Sequence, residues 1–156
     1  MEKGMVIEAI KKGIDSEFQT RDFYLKVSQG IKSKKASRMV AGLARDEQAH
    51  AAKLQALLVK LSGERYQPAP NAPLNPKYKV AEAAVYVQAV AREIVSVAIF
   101  IETESIKRYT ELRDASTEKS DQRIFAGLVK MEEGHKDQLQ KEFRKLEAQE
   151  ALWDVA

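Results

Sequence analysis

Apolar residues return every three or four positions along most of the chain, the spacing of helices that bury one face. One such seam runs Val40, Leu43, Ala44, Ala51, Leu54, Leu58, Leu61, and another runs Phe125, Leu128, Val129, Leu139, Phe143, Leu146. All four prolines, Pro68, Pro70, Pro73 and Pro76, fall within SGERYQPAPNAPLNPKY (62–78), and the sequence on either side is free of them. Proline breaks helices, so the pattern predicts four long ones, at about 3–31, 36–61, 79–115 and 120–150. GIKSKKAS and DASTEKSD supply the two turns, and Ser120 or Asp121 is the expected cap of the fourth helix. The expected architecture is all-α. A single domain over 1–156 comprises a hairpin at about 3–61, a proline-rich crossover at 62–78 and a second hairpin at about 79–150.

Polar residues interrupt both seams at their centres. DEQAH (46–50) and MEEGH (131–135) each set a Glu three residues before a His, and these are the chain's two histidines. A carboxylate buried in an apolar seam without a partner costs several kcal/mol or holds a proton, so something must compensate it. The two motifs belong to a longer repeat. A shift of 85 residues lays Glu17 on Glu102, Tyr24 on Tyr109, Arg38 on Arg123, Gly42-Leu43 on Gly127-Leu128, Glu47 on Glu132, His50 on His135, Leu54 on Leu139 and Leu61 on Leu146. The chain reads as a duplicated hairpin.

Each predicted helix therefore offers one inward Glu (Glu17, Glu47, Glu102, Glu132), and two helices add His50 and His135 at i+3. That is the ligand arrangement of a dinuclear carboxylate site in a helical bundle. Residues three apart share a helix face, so each Glu-x-x-His pair can bind from one side. Four buried carboxylates repel one another, and two divalent cations cancel their charge. Mixed carboxylate and imidazole ligation suits iron or manganese better than a structural zinc, although other divalent metals also fit. The alternative is a set of buried Glu–His hydrogen bonds without metal.

Composition narrows the remaining classes. Without cysteine there are no disulfides, thiolate metal sites or cysteine nucleophiles, in keeping with a reducing compartment such as the cytoplasm. The 26 basic and 23 acidic residues intersperse to a net +3, with no single-sign patch for nucleic acid. The N-terminal sequence lacks an apolar signal core, and the longest apolar run, IVSVAIFI, is too short to span a membrane.

Glu17…Tyr24…Glu47-x-x-His50, repeated as Glu102…Tyr109…Glu132-x-x-His135 around a long linker, resembles the rubrerythrin branch of the ferritin-like superfamily over nearly the whole chain. The resemblance implies a ferritin-like four-helix bundle holding two iron ions. Glu17 and Glu102 would be terminal ligands, Glu47 and Glu132 bridges, and His50 and His135 would each bind one metal. Tyr24 and Tyr109 would donate hydrogen bonds to ligand carboxylates, or else be plain core tyrosines. The implied activity is reduction of hydrogen peroxide or dioxygen, and a homodimer is expected. Ferroxidase or iron-handling chemistry is the alternative, since the six ligands and MEEGHKDQL also resemble a bacterioferritin. Full-length rubrerythrins carry a four-cysteine rubredoxin domain. Without cysteine, electrons must come from a separate rubredoxin or reductase. Many rubrerythrins also place a further Glu three residues after the third-helix ligand. Here that residue is Ser105, while Glu104 points off the ligand face by about 100°. Without that carboxylate the site is expected to be nearly symmetric. Asp46 is a candidate brace for a ligand imidazole, but its repeat counterpart is Met131. The only Trp, Trp153, is expected to pack at the end of the fourth helix or against a neighbouring subunit.

The repeat also predicts topology. Hairpins related by an axis across the bundle run up-down-down-up, with the second and third helices parallel, so the crossover must travel the bundle's length. A helix of about 28 residues is about 42 Å long, and roughly 17 extended residues reach about 53 Å.

Overall fold

The computed structural model describes residues 2–68 and 91–147. It contains α1 (Lys3–Gly30), α2 (Lys34–Ser62), α3 (Ala91–Ala115) and α4 (Lys119–Glu147). The expected start of the third helix at 79, the end of the fourth at 150, most of the crossover, and Trp153 lie outside the described residues.

Local chemistry sets the ends of the helices. Ser33 caps α2, its hydroxyl accepting from the Ala36 N–H at 3.3 Å. Gly63 ends the same helix in the left-handed region (φ 78°), where its N–H reaches the Val59 carbonyl at 2.8 Å. The cap expected at Ser120 or Asp121 is not there. Helix α4 already begins at Lys119, so both residues lie in its first turn, and the Gln122 N–H bonds back to the Glu118 carbonyl at 3.0 Å. The Asp121 carboxylate instead accepts from Lys60 Nζ at 2.6 Å, tying α2 to α4 where the helix dipole favours negative charge.

α1 packs along α2 and α3 along α4, while α1 also meets α3 and α2 meets α4. Tyr24 reaches Glu102 and Tyr109 reaches Glu17, so α1 and α3 are antiparallel. Asp46 meets His135 and Lys60 meets Asp121, so α2 and α4 are antiparallel too. Helices α2 and α3 therefore run in the same direction across the diagonal. Ser62 ends α2 near Asp15 and Asp121, whereas Ile94 and Val95 of α3 pack with Ile31 and Ala36 at the opposite end. The start of the crossover is fastened down. Gln55 holds the Tyr66 backbone on both sides, and the Tyr66 hydroxyl donates to Asp15 at 3.0 Å.

The apolar core divides into two clusters. One contains Tyr24, Val27, Val40, Leu43, Ala44, Val95 and Leu139. The other contains Ile10, Leu54, Tyr109, Leu112, Phe125, Leu128 and Val129. The 85-residue shift carries Tyr24, Val27, Val40, Leu43 and Ala44 of the first cluster onto Tyr109, Leu112, Phe125, Leu128 and Val129 of the second. It carries Ile10 and Leu54 onto Val95 and Leu139 in the reverse sense. The pseudo-twofold axis thus crosses the bundle at its middle, between the clusters. Gly13 permits the close approach of helices at the second cluster, since a β-carbon on it would lie 3.3 Å from Leu54 and 3.7 Å from the Tyr109 ring.

Candidate metal centre

Between the two apolar clusters sit six ionisable side chains that helical spacing alone would have left in an oily seam. Glu17, Glu47, His50, Glu102, Glu132 and His135 are all buried, with 0 to 5% of their surface exposed. They form two interlocking groups. Glu17, Glu47, His50 and Glu132 bring one donor atom each within 4.8 Å of one another, as do Glu47, Glu102, Glu132 and His135. Glu47 and Glu132 belong to both groups. Glu17 belongs only with His50, and Glu102 only with His135.

The donors converge on shared points. His50 Nδ1 lies 3.0 Å from Glu132, 3.3 Å from Glu47 and 3.6 Å from Glu17. His135 Nδ1 lies 3.1 Å from Glu132, 3.2 Å from Glu47 and 3.6 Å from Glu102. The rings lie side by side, 5.6 Å between centroids and 20° apart in plane. Glu47 Oε1, Glu132 Oε2 and His135 Nδ1 are buried and make no hydrogen bond, although the nitrogen lies 3.2 Å from the first oxygen and 3.1 Å from the second. Atoms so close yet misaligned for hydrogen bonding are aimed at a common point. Two donors on one divalent ion, at about 2.1 Å and right angles, would lie about 3.0 Å apart. The donor set fits a pair of divalent cations.

The tyrosines work across the repeat. Tyr24 donates to Glu102 and Tyr109 to Glu17, so each hairpin supplies the hydroxyl that orients the other hairpin's carboxylate. Burial, then the Glu102 charge, pushes Tyr24 well above the usual phenol range. Burial and Glu17 do the same to Tyr109, so both keep their protons and act as fixed donors. Asp46 accepts from His135 Nε2 at 3.0 Å. The brace therefore serves the imidazole of the opposite helix, while His50 Nε2 is buried without a partner. The ligands and their tyrosines obey the repeat, but the imidazole brace does not, and the expected near-symmetry stops there. Ser105 is buried on the ligand-bearing helix and Glu104 is exposed, as the 100° offset requires.

Without metal, the charges are settled by mutual pairing. Burial pushes Glu47 well above the usual carboxylate range, with Glu17 adding to the rise. Burial pushes Glu102 up to about 8 against the pull of His135. Glu132 goes the other way: burial would raise it, but His135 and His50 outweigh that and hold it at about 2. Burial opposes charge on His50, yet Glu132, Glu17 and Glu47 outweigh it and push the ring up to about 12. His135 is raised likewise, burial being overcome by Glu102, Glu132 and Glu47. Two imidazolium charges thus stand where two cations would stand.

Comparison with known proteins agrees with this geometry. The rubrerythrin family profile matches residues 8–143. No curated protein matches the sequence. Among solved structures, the fold is similar to a bacterioferritin from Rhodobacter capsulatus, described with a metal-free dinuclear site and haem iron. That likeness has 22% identity and a TM-score of 0.73, covering 93% of this chain and 87% of the other. It is also similar to a hypothetical protein from Pyrococcus furiosus at 20% identity and a TM-score of 0.71, covering 90% and 89%. Fold and site together define a ferritin-like four-helix bundle with a carboxylate–imidazole cluster at its centre. The chain belongs to the rubrerythrin family.

Proposed function

We propose that the six side chains hold two iron ions and that the protein reduces hydrogen peroxide or dioxygen with electrons from a separate donor. The observation carrying this reading is the convergence of the unpartnered Glu47 Oε1, Glu132 Oε2 and His135 Nδ1 on one point inside the bundle. Glu47 and Glu132, common to both groups, would bridge the two ions, while Glu17 with His50 and Glu102 with His135 would complete one position each. The metal pair, when bound, supplies two electrons to the oxygen–oxygen bond, so that peroxide with two protons yields two waters. The protein's part is to keep the donors in place and bulk water out. Tyr24 and Tyr109 hold the terminal carboxylates, and the two apolar clusters close the bundle above and below. In this reading the electrons come from an external rubredoxin or reductase, and these 156 residues, without cysteine, suit a cytoplasmic setting.

The second reading, ferroxidase or iron handling, draws on Ser105. With no further carboxylate on the α3 ligand face, the six ligands remain a set that an iron-oxidising centre can use. Loading with Fe(II) under anaerobic conditions, then adding peroxide with a reductase and electron carrier, separates the two. Two irons per chain, multiple turnovers and the native mass of a small oligomer support the reductase. Iron deposited well beyond two per chain, in a particle of shell-like mass, would replace it with the iron-handling reading.

A further inference from the structure

The 85-residue repeat gives an internal control within one molecule. Whatever differs between repeat-equivalent positions around the cluster must make its two ends differ. Every ligand matches its counterpart, but neighbouring residues do not, and two of these differences place a charge beside a ligand or its tyrosine.

The first difference is Asp46, whose counterpart is Met131. Asp46 accepts from His135 Nε2 at 3.0 Å, so the ring keeps a proton on Nε2, and once Nδ1 gives up its own proton to a metal its lone pair faces Glu47, Glu132 and Glu102. A carboxylate there fixes the ring's orientation and makes Nδ1 a better donor. Among the described residues, His50 has no such partner, and its Nε2 is buried without a hydrogen bond. When His50 Nδ1 takes a metal, its remaining proton must sit on Nε2 as a buried donor lacking an acceptor. The second difference is Arg108, whose counterpart is Phe23. Phe23 packs on Tyr24 at 5.5 Å, near the Glu102 end, whereas Arg108 adjoins Tyr109, whose hydroxyl holds Glu17. Its Nη1 is buried and makes no hydrogen bond. One end of the cluster thus has an added anion, and the other an added cation and an unsupported ring.

We infer that the two metal positions are unequal, and that Asp46 is the positioning residue that makes the Glu102–His135 position the tighter one. The inference rests on the metal-site reading above and adds an order of filling: the Glu102–His135 position loads first and empties last, and the Glu17–His50 position is the exchangeable one. Asp46 is 46% exposed and Met131 40% exposed, so both can be replaced without opening the core.

Zinc(II) serves as a redox-silent probe, and the chain's two histidines give two sets of imidazole nitrogen signals in a ¹⁵N spectrum. The first equivalent of zinc should shift His135 Nδ1 to its metal-bound position and leave His50 largely free. The preference should be about tenfold or more, since removing a carboxylate that braces a ligand histidine typically costs 10–100-fold in affinity. Asp46→Ala should bring the preference toward an even split, and Asp46→Asn, which keeps an acceptor, should fall between. Met131→Asp should even out the split from the other side by giving His50 its own brace. Melting of each metal-free variant at the unaltered temperature identifies the change as local. An even split in the unaltered protein, or an undiminished preference in Asp46→Ala, overturns the inference while two bound zincs leave the site reading intact. If neither imidazole shows a zinc-bound Nδ1 up to two equivalents, the site reading fails and this inference with it.

Discussion

The first hairpin and the second are two solutions to one problem, and their differences are as instructive as their agreement. At the centre they agree position for position: Glu17 and Glu102, Glu47 and Glu132, His50 and His135, Tyr24 and Tyr109. At the turns they agree only in what is accomplished. Ser37 Oγ donates to the Ser28 carbonyl at 2.7 Å, and its counterpart Gln122 reaches the Ser116 carbonyl at 2.7 Å with its amide. Ser33 and its counterpart Glu118 both begin their helices with a backbone carbonyl, and Ser33 adds its hydroxyl as an acceptor for the Ala36 N–H. A turn needs a donor in reach, and several side chains can supply one. A cluster in which six donors must converge on one chamber admits little substitution.

The sharpest test of that agreement is removal of a shared carboxylate. Glu47→Ala or Glu132→Ala should take bound metal from about two per chain toward one or none, while Glu17→Ala or Glu102→Ala should cost one position. Metal analysis with the visible spectrum checks this. Two irons retained in Glu47→Ala would undo the assignment of Glu47 as a bridge.

Removing the metal should make the protein sensitive to pH. Glu102, raised to about 8, contributes stability that is present below its ordinary 4.5 and is lost as pH rises through about 8. His50, raised to about 12, contributes stability that is full below 6.5 and is lost as pH rises toward 12. Glu132, lowered to about 2, contributes stability present above 4.5 and lost only as pH falls through about 2. Between pH 5 and 8 the metal-free form should therefore lose stability, and the gap in melting temperature between metal-loaded and metal-free protein should widen. Metal affinity should rise over the same range, by about tenfold per pH unit for each proton displaced. A gap that stays constant from pH 5 to 8 would contradict the pairing described.

Smaller effects should come from the tyrosines. Tyr24→Phe and Tyr109→Phe each leave a buried carboxylate oxygen short of a donor, at a cost of about 1–3 kcal/mol. Denaturant melts should show equal losses if the two ends are alike at this level. A larger loss at Tyr109 would show that Arg108, which adjoins it, also weighs on stability. The last test is read in chemistry rather than stability, and it is Ser105→Glu. A carboxylate on the buried face of α3 offers one position a further ligand and should widen the ratio of peroxide to dioxygen rates in stopped-flow oxidation of the diferrous protein. Glu104→Gln, on the exposed side, should leave that ratio unchanged.

What could be read from the sequence follows the same division. Helix periodicity and the repeat bring Glu17, Glu47, His50, Glu102, Glu132 and His135 onto inward faces, and the fold gathers them at one place. Periodicity tells which way a side chain points along its own helix but not which helix it will meet. That is why Tyr24 could be placed on the face of Glu17 while its partner turns out to be Glu102, and why Asp46, beside Glu47, supports the imidazole of α4. The cap of α4 was illegible for a related reason. Ser120 and Asp121 are good capping residues, but Lys60 on a distant helix gives the Asp121 carboxylate another use.

Neither four-donor group closes within one hairpin: the one around His50 needs Glu132, and the one around His135 needs Glu47. With the tyrosines also exchanged between hairpins, a chain whose second half has not yet docked holds no complete binding position. Loading is therefore a report on maturation. A half-synthesised or severed chain would offer only part of each donor group, and any chemistry of the proposed metal pair would wait until both hairpins close the same chamber around it.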